Sequence, residues 1–139
     1  MGFKDFLNEH RDEIASSTGT HVTVMLYDEA IRQLNLAIKA VKARDITARC
    51  NAVTMVCEIV EALHNTLDRE NGKDIAEQLG MVYRFILRQL PRVNFYNDSE
   101  TAAQMIGLLE PLRDSWHAID QKRAAERSFP AEAPMAAVA

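Results

Sequence analysis

Residues 46–67, ITARCNAVTMVCEIVEALHNTL, carry the pattern on which the fold turns. Ile46, Cys50, Val53, Val56 or Cys57, Val60, Leu63 and Leu67 recur at steps of three and four, the spacing of one face of an α-helix. Asp45, just before them, is a side chain suited to cap the helix start. Working outward, the same period runs through three more stretches. Residues 20–43 place Val22, Met25, Leu26, Ala30, Leu34, Ala37, Ile38 and Val41 on one side, against Asp28, Arg32, Asn35, Lys39 and Lys42 on the other. Residues 73–94 and 99–125 repeat the division. Each helix of about 20 residues would be roughly 30 Å long. The links between them are short: Arg44-Asp45, DRENG at 68–72 and FYND at 95–98. Short links make sequential helices antiparallel neighbours. The sequence therefore predicts an all-α protein, an antiparallel up-down four-helix bundle over 18–127, with an N-terminal amphipathic helical arm over 1–17 and a disordered tail over 128–139.

Composition agrees with this reading. At 139 residues the chain has the size of one domain, and five Gly and four Pro are too few for a turn-rich β architecture. Hydrophobic residues at 47% suffice for a core, and a net charge of −4 lacks the basic excess that phosphate binding needs, which argues against nucleic acid. No run approaches eighteen apolar residues and the N-terminus is charged throughout, so neither membrane insertion nor secretion is expected and the location is cytoplasmic. The tail SFPAEAPMAAVA, with two Pro, five Ala and one charge, cannot build a packed element. Pro91 and Pro111 fall inside helical patterns and should kink or loosen them.

Chemistry finds little support. Glu61-Ala-Leu-His64 has the spacing of a di-iron ligand pair, but such a site needs the motif twice and it occurs once. His64 reads as half-buried at the bundle edge, and His21 and His117, near helix ends, as solvent-facing. Cys50 and Cys57 are seven apart on one helix, about 10 Å, beyond disulfide reach. No phosphate loop or nucleophile elbow is present. No enzyme activity, metal or cofactor is expected.

What is unusual is the width of the apolar faces. Met55 and Ile59 lie beside the stripe of 46–67, and Met81, Phe85 and Leu87 spread around 73–94, with Met81 and Phe85 stacked at (i, i+4). A helix apolar on two sides buries the second against something, and an amphipathic partner helix suits such a groove. Two structural alternatives remain: these residues lie under the N-terminal helix, or in a homodimer contact of the free protein. Ile59 and Phe85, off the main stripe, are expected to accept Asp without loss of helix. Trp116 is expected to be mainly structural. In the arm, Phe3, Phe6, Leu7 and Ile14 form an apolar stripe, and the flexible SSTGT at 16–20 would let it fold over the groove as a regulatory cover that competes with the partner. The alternative is a permanently packed fifth helix.

From Val22 onward the order of segments resembles the flagellin-specific export chaperones, the FliS family. The resemblance rests on Met25-Leu26-Tyr27-Asp28, Thr66-Leu67-Asp68, Asn97-Asp98 and Leu108-Leu109-Glu110-Pro111-Leu112-Arg113 ending in Trp116, over residues 18 to about 119. It implies a cytosolic four-helix bundle that binds the disordered C-terminal segment of flagellin, prevents early polymerisation and hands it to the flagellar type III export gate. A helical adaptor for another amphipathic segment is the alternative. Glu29 stands where the family usually has Gly, Gln33 where it often has an aromatic, and Leu36 where a polar residue is common. The arm also lacks the family's tyrosine-bearing strand.

Overall fold

The computed structural model describes residues 2–128, and the expected tail lies outside the described residues from 129 onward. The order of elements is α1 (Phe3–Glu9), α2 (Arg11–Ser16), α3 (Gly19–Ala43), α4 (Ile46–Asn65), α5 (Arg69–Gln89), α6 (Pro91–Tyr96) and α7 (Ser99–Ser128). The bundle of α3, α4, α5 and α7 is all-α, with no strand among the described residues.

Local chemistry sets each boundary. Thr18 Oγ1 accepts from His21 N at 3.3 Å and opens α3. Arg44 closes it in the left-handed region (φ 58°), and the Asp45 N–H returns to the Ala40 carbonyl at 2.9 Å. Asp45 then caps α4 through Ala48 N at 3.0 Å. Asp68 does the same for α5 through Asn71 N at 3.1 Å, so DRENG forms a first helical turn and not the predicted loop. The backbone breaks at Lys73 (φ 43°, ψ −114°), directly after Gly72, where a Cβ would stand 2.9 Å from the Ala76 Cβ. That close approach requires glycine.

Pro91 shortens the third bundle helix relative to the predicted 73–94. The helix closes at Gln89, and Pro91 takes the first position of α6, where its missing N–H costs nothing. α6 ends at Asn97 in the left-handed region (φ 51°), held by Arg49: its Nε donates to Asn94 Oδ1 at 3.2 Å and its Nη1 to Asn97 Oδ1. Asp98 caps α7, accepting from Thr101 N at 2.9 Å. α7 continues through Pro111 for 30 residues.

α3 packs extensively on both α4 and α7; α5 leans on α4, touches α7 more lightly, and α6 closes one end. The central core cluster is apolar apart from two phenol hydroxyls. Tyr27 of α3 and Tyr83 of α5, 0% and 1% exposed, share a 2.6 Å hydroxyl–hydroxyl bond. Burial lifts both phenols above their ordinary range. Trp116 is half-buried against this core, as a structural side chain would be. Trp116→Ala should cost less than the about 3 to 5 kcal/mol of a fully enclosed site.

The tyrosine pair yields a sharp expectation. Tyr83→Phe leaves the Tyr27 hydroxyl short of a buried partner and should cost about 1–3 kcal/mol, whereas Tyr27→Phe/Tyr83→Phe together should recover most of the loss. Denaturant unfolding of the three proteins checks it; equal losses in single and double variants would mean the pair is not coupled.

Candidate partner-binding site

The arm is two short helices broken at His10; α1 packs on α4, while His10 comes close to Glu29 and Glu13 bonds His21, both on α3, so the arm lies over the groove between α3 and α4. Phe3 and Phe6 stack at 6.5 Å between ring centroids, and His10 sits on Phe6 at 4.4 Å. Phe6, 6% exposed, belongs to the buried core cluster, with Phe3 and Leu7 packed against it. Ile14 is half-buried on α2. The start of the arm reaches α4, where Gly2, Asn51, Thr54, Met55 and Glu58 line one small recess.

This arrangement corrects the reading of α4. Met55 and Ile59 do not stand on an open face; they are 2% and 0% exposed. Met55 lies at the edge of the buried arc where the arm meets α4, and Ile59 is enclosed deeper in the core, so three elements share what one-sided periodicity assigns to two. An Asp at Ile59 would be a buried unpaired charge, expected to unfold the bundle and not to spare it. Leu87 is half-buried against the core. Met81 and Phe85 do point outward, 58% and 40% exposed. The five residues therefore divide between two surfaces: the arm-covered groove of α3 and α4, and the open face of α5.

The stripe Glu29, Gln33 and Leu36 faces that groove. Glu29 is 8% exposed, yet both its oxygens are occupied: Oε1 accepts from Arg32 Nε at 2.8 Å, and Oε2 from Arg32 Nη2 at 2.7 Å and Gln33 Nε2 at 3.0 Å. Burial alone would lift its carboxyl, but these bonds, with the Arg32 charge beside it, hold it below its ordinary value. Beyond the arm the groove stays open as a recess of about 510 Å³, lined by Leu36, Ala40, Ala48, Asn51 and Ala52 among others.

His21 is partly exposed, as expected near a helix end, but both its ring nitrogens are engaged. It joins three helices: Nε2 lies 3.0 Å from Glu13 Oε2 on α2, and Nδ1 lies 3.3 Å from Asp120 Oδ2 on α7. Asp120, 7% exposed, also accepts from Thr18 and Thr20 at 3.4 Å each. An imidazole donates from both nitrogens only when protonated. The bond to Glu13, opposed by partial burial and reinforced by Asp120, raises the His21 pKa. Sequence spacing carries no signal for this clasp, because its partners are 8 and 99 positions away.

The remaining candidates are structural. His64 is half-buried and meets Arg84 Nη1 at 3.5 Å. Glu61 and His64 gather no further ligands, and no metal-binding cluster occurs among the described residues. Cys50 and Cys57 are free, and burial, aided by Glu61 and Glu58, pushes the Cys57 thiol up to about 11, the opposite of a reactive thiolate. No helix among the described residues is long and apolar enough to cross a membrane.

The family model for the flagellar protein FliS matches residues 7–123. The chain belongs to the FliS family. Among its relatives are the flagellar secretion chaperones FliS of Salmonella typhimurium, 27% identical over 91% of this chain and 96% of that one, and of Bacillus subtilis, 25% identical over 81% and 84%. A crystal structure of a flagellar chaperone from bacteria shares the fold with a TM-score of 0.71 at 15% identity, covering 86% of this chain and 97% of that one. This is a family of flagellar secretion chaperones, not an enzyme class. The residues that carry the family likeness hold the bundle together: Tyr27 fills the core, Asp28 pairs with Arg113 at 2.6 Å between α3 and α7, and Asp68 and Asp98 cap helices.

The clasp makes the arm sensitive to pH. The folded His21 pKa lies above the unfolded value of about 6.5, so its contribution is complete below that value and is lost as pH rises through the folded pKa. Hydrogen exchange of α1 and α2 amides, corrected for intrinsic rates, should rise as the pH is raised above about 6.5. In His21→Gln the dependence should flatten. An arm equally protected across this range in the parent protein would refute the clasp.

Proposed function

We propose that this protein is a cytoplasmic export chaperone whose client is the disordered C-terminal segment of flagellin, which it keeps from polymerising and delivers to the flagellar type III export gate. The single observation that carries the reading is the arm itself. An amphipathic helix of this chain already occupies the α3/α4 groove and sinks Phe6 into the core cluster, which is what a docked client helix would do. The family gives the flagellar assignment, and the groove gives a physical means of holding a helix.

The binding surface has two parts. The α3/α4 groove, with Met55 at its edge and Ile59 deeper beneath it, receives the client once the arm swings away. The outward pair Met81 and Phe85 on α5 offers a second apolar contact that is open in the free protein. A client that orders on binding gives up part of its contact energy in lost entropy, which keeps the complex releasable at the export gate. The arm acts as an internal competitor, so apparent affinity is the intrinsic affinity scaled by the uncovered fraction.

Calorimetric titration with the C-terminal segment of the host's own flagellin tests the assignment, and absence of heat at micromolar protein would overturn it. Phe85→Asp should weaken binding by about tenfold or more, equivalent to roughly 1.4 kcal/mol, with helical circular dichroism unchanged. Phe6→Ala, which removes the arm's buried anchor, should tighten binding and increase self-association. Weaker binding together with a lower melting temperature would instead make the arm a permanent fifth helix.

A further inference from the structure

We propose that the uncovered end of the α3/α4 groove is the entry site at which the client segment first docks before it displaces the arm. The inference rests on the flagellin-chaperone reading and adds a route by which the exchange occurs. Its starting point is a mismatch of lengths. α3 spans 25 residues and α4 spans 20, whereas α1 spans only 7. Even with the 6 residues of α2 added, the arm offers only about 20 Å of helix and cannot fill a groove of about 30 Å.

The unfilled part is the recess of about 510 Å³ beside the α3–α4 turn. It is continuous with the arm-covered part. Asn51 lines both this recess and the one that holds Gly2 at the start of the arm, and Gln33, on the rim of the recess, bonds Glu29 beneath the arm. The surface that already accepts one amphipathic helix therefore runs on beyond that helix's end. Its walls are shaped for close approach: Ala40, Ala48 and Ala52 leave a shallow floor, and Leu36, 39% exposed, supplies an apolar edge. Lys39 and Asp45 stand at the rim, so the slot is apolar within and polar at its margins. The occupant this selects is the leading turn of an amphipathic helix.

The consequence is kinetic. Were the whole groove covered, the client could bind only in the moments when the arm had opened, and the observed rate would level off at the opening rate. An exposed extension lets the client nucleate a turn in contact with protein and then compete for the arm's section one turn at a time. The observed rate then climbs with client concentration past the arm's own opening rate.

The test is stopped-flow association of the flagellin C-terminal segment with four full-length proteins: the parent, Ala48→Glu, Phe6→Ala, and the two substitutions combined. Ala48 is the third residue of α4 after the Asp45 cap, where a carboxylate suits the helix terminus, so Ala48→Glu places a charge in the slot without harming the helix. Leu36→Asp serves as a second probe from the α3 side, and melting temperatures confirm that each variant is folded. The expected result is a rate that climbs with client concentration in the parent, falls about tenfold in Ala48→Glu and Leu36→Asp, and changes less than about threefold when Ala48→Glu is added to Phe6→Ala. A parent rate that levels off at the arm's own opening rate, measured by hydrogen exchange of α1 without client, would overturn the entry site. So would equal slowing by Ala48→Glu in both backgrounds, which would make the recess an ordinary part of the bound contact, or no slowing in either. Absence of binding by all four proteins would overturn the flagellin reading and the inference with it.

Discussion

The hydroxyl–hydroxyl bond between Tyr27 and Tyr83 constrains the rest of the molecule. Both phenols are fully buried, so neither can rotate away without stranding the other in an apolar core. The bond crosses from α3 to α5 and fixes the rotation of each helix about its own axis. With Tyr83 inward, Met81 and Phe85 must face out, since they lie on the opposite side of the cylinder. With Tyr27 inward, Asp28 is turned toward Arg113 of α7, and Glu29 and Gln33 are turned toward the groove. An apolar core of the same volume would pack comparably well in several rotations; the polar pair selects one.

The bundle was legible in the sequence because its determinants are local. The 3.6-residue stripes, the Thr18 and Asp45 caps and the short links can all be read within a few positions of one another. Pro91 was legible as a disturbance, though not as the start of a separate helix, since a proline at a first helical position and one at a kink look alike in sequence. DRENG reads as a loop for a related reason. Asp68 is itself a cap, and only the position of Gly72 against Ala76 reveals a helical turn before the break at Lys73.

The site was less legible because it is made of contacts between distant segments. A wide apolar face on α4 correctly signals a third neighbour, but periodicity cannot say whether that neighbour is a client or a part of the same chain. The structure places the arm beside Met55, Asn51 and Glu58, and the apparent surplus of apolar surface is largely consumed there. The same ambiguity does not arise on α5, where Met81 and Phe85 have no covering element among the described residues. The clasp of Glu13, His21 and Asp120 was invisible because each residue alone reads as a solvated charge at a helix end. Only the meeting of α2, α3 and α7 gives them a common chemistry.

A buried carboxylate in a groove that must change occupants would ordinarily be a hazard, because each exchange risks leaving a desolvated charge without a partner. Glu29 avoids this by local means. Its two partners lie one turn along the same helix: Arg32 bonds both oxygens and Gln33 adds a third bond. None of these bonds involves the arm, and none has to break when the arm leaves. The arm contributes only the nearby His10, a longer-range influence that an incoming segment need not replace. Glu29 thus presents its aliphatic stem and an already satisfied head to whichever helix lies above it. The exchange of arm for client becomes mainly a competition between apolar stripes, in which the length of groove each occupant fills decides the outcome. An arm anchored chiefly by Phe6 is poorly placed to win that competition against a helix that spans the whole groove.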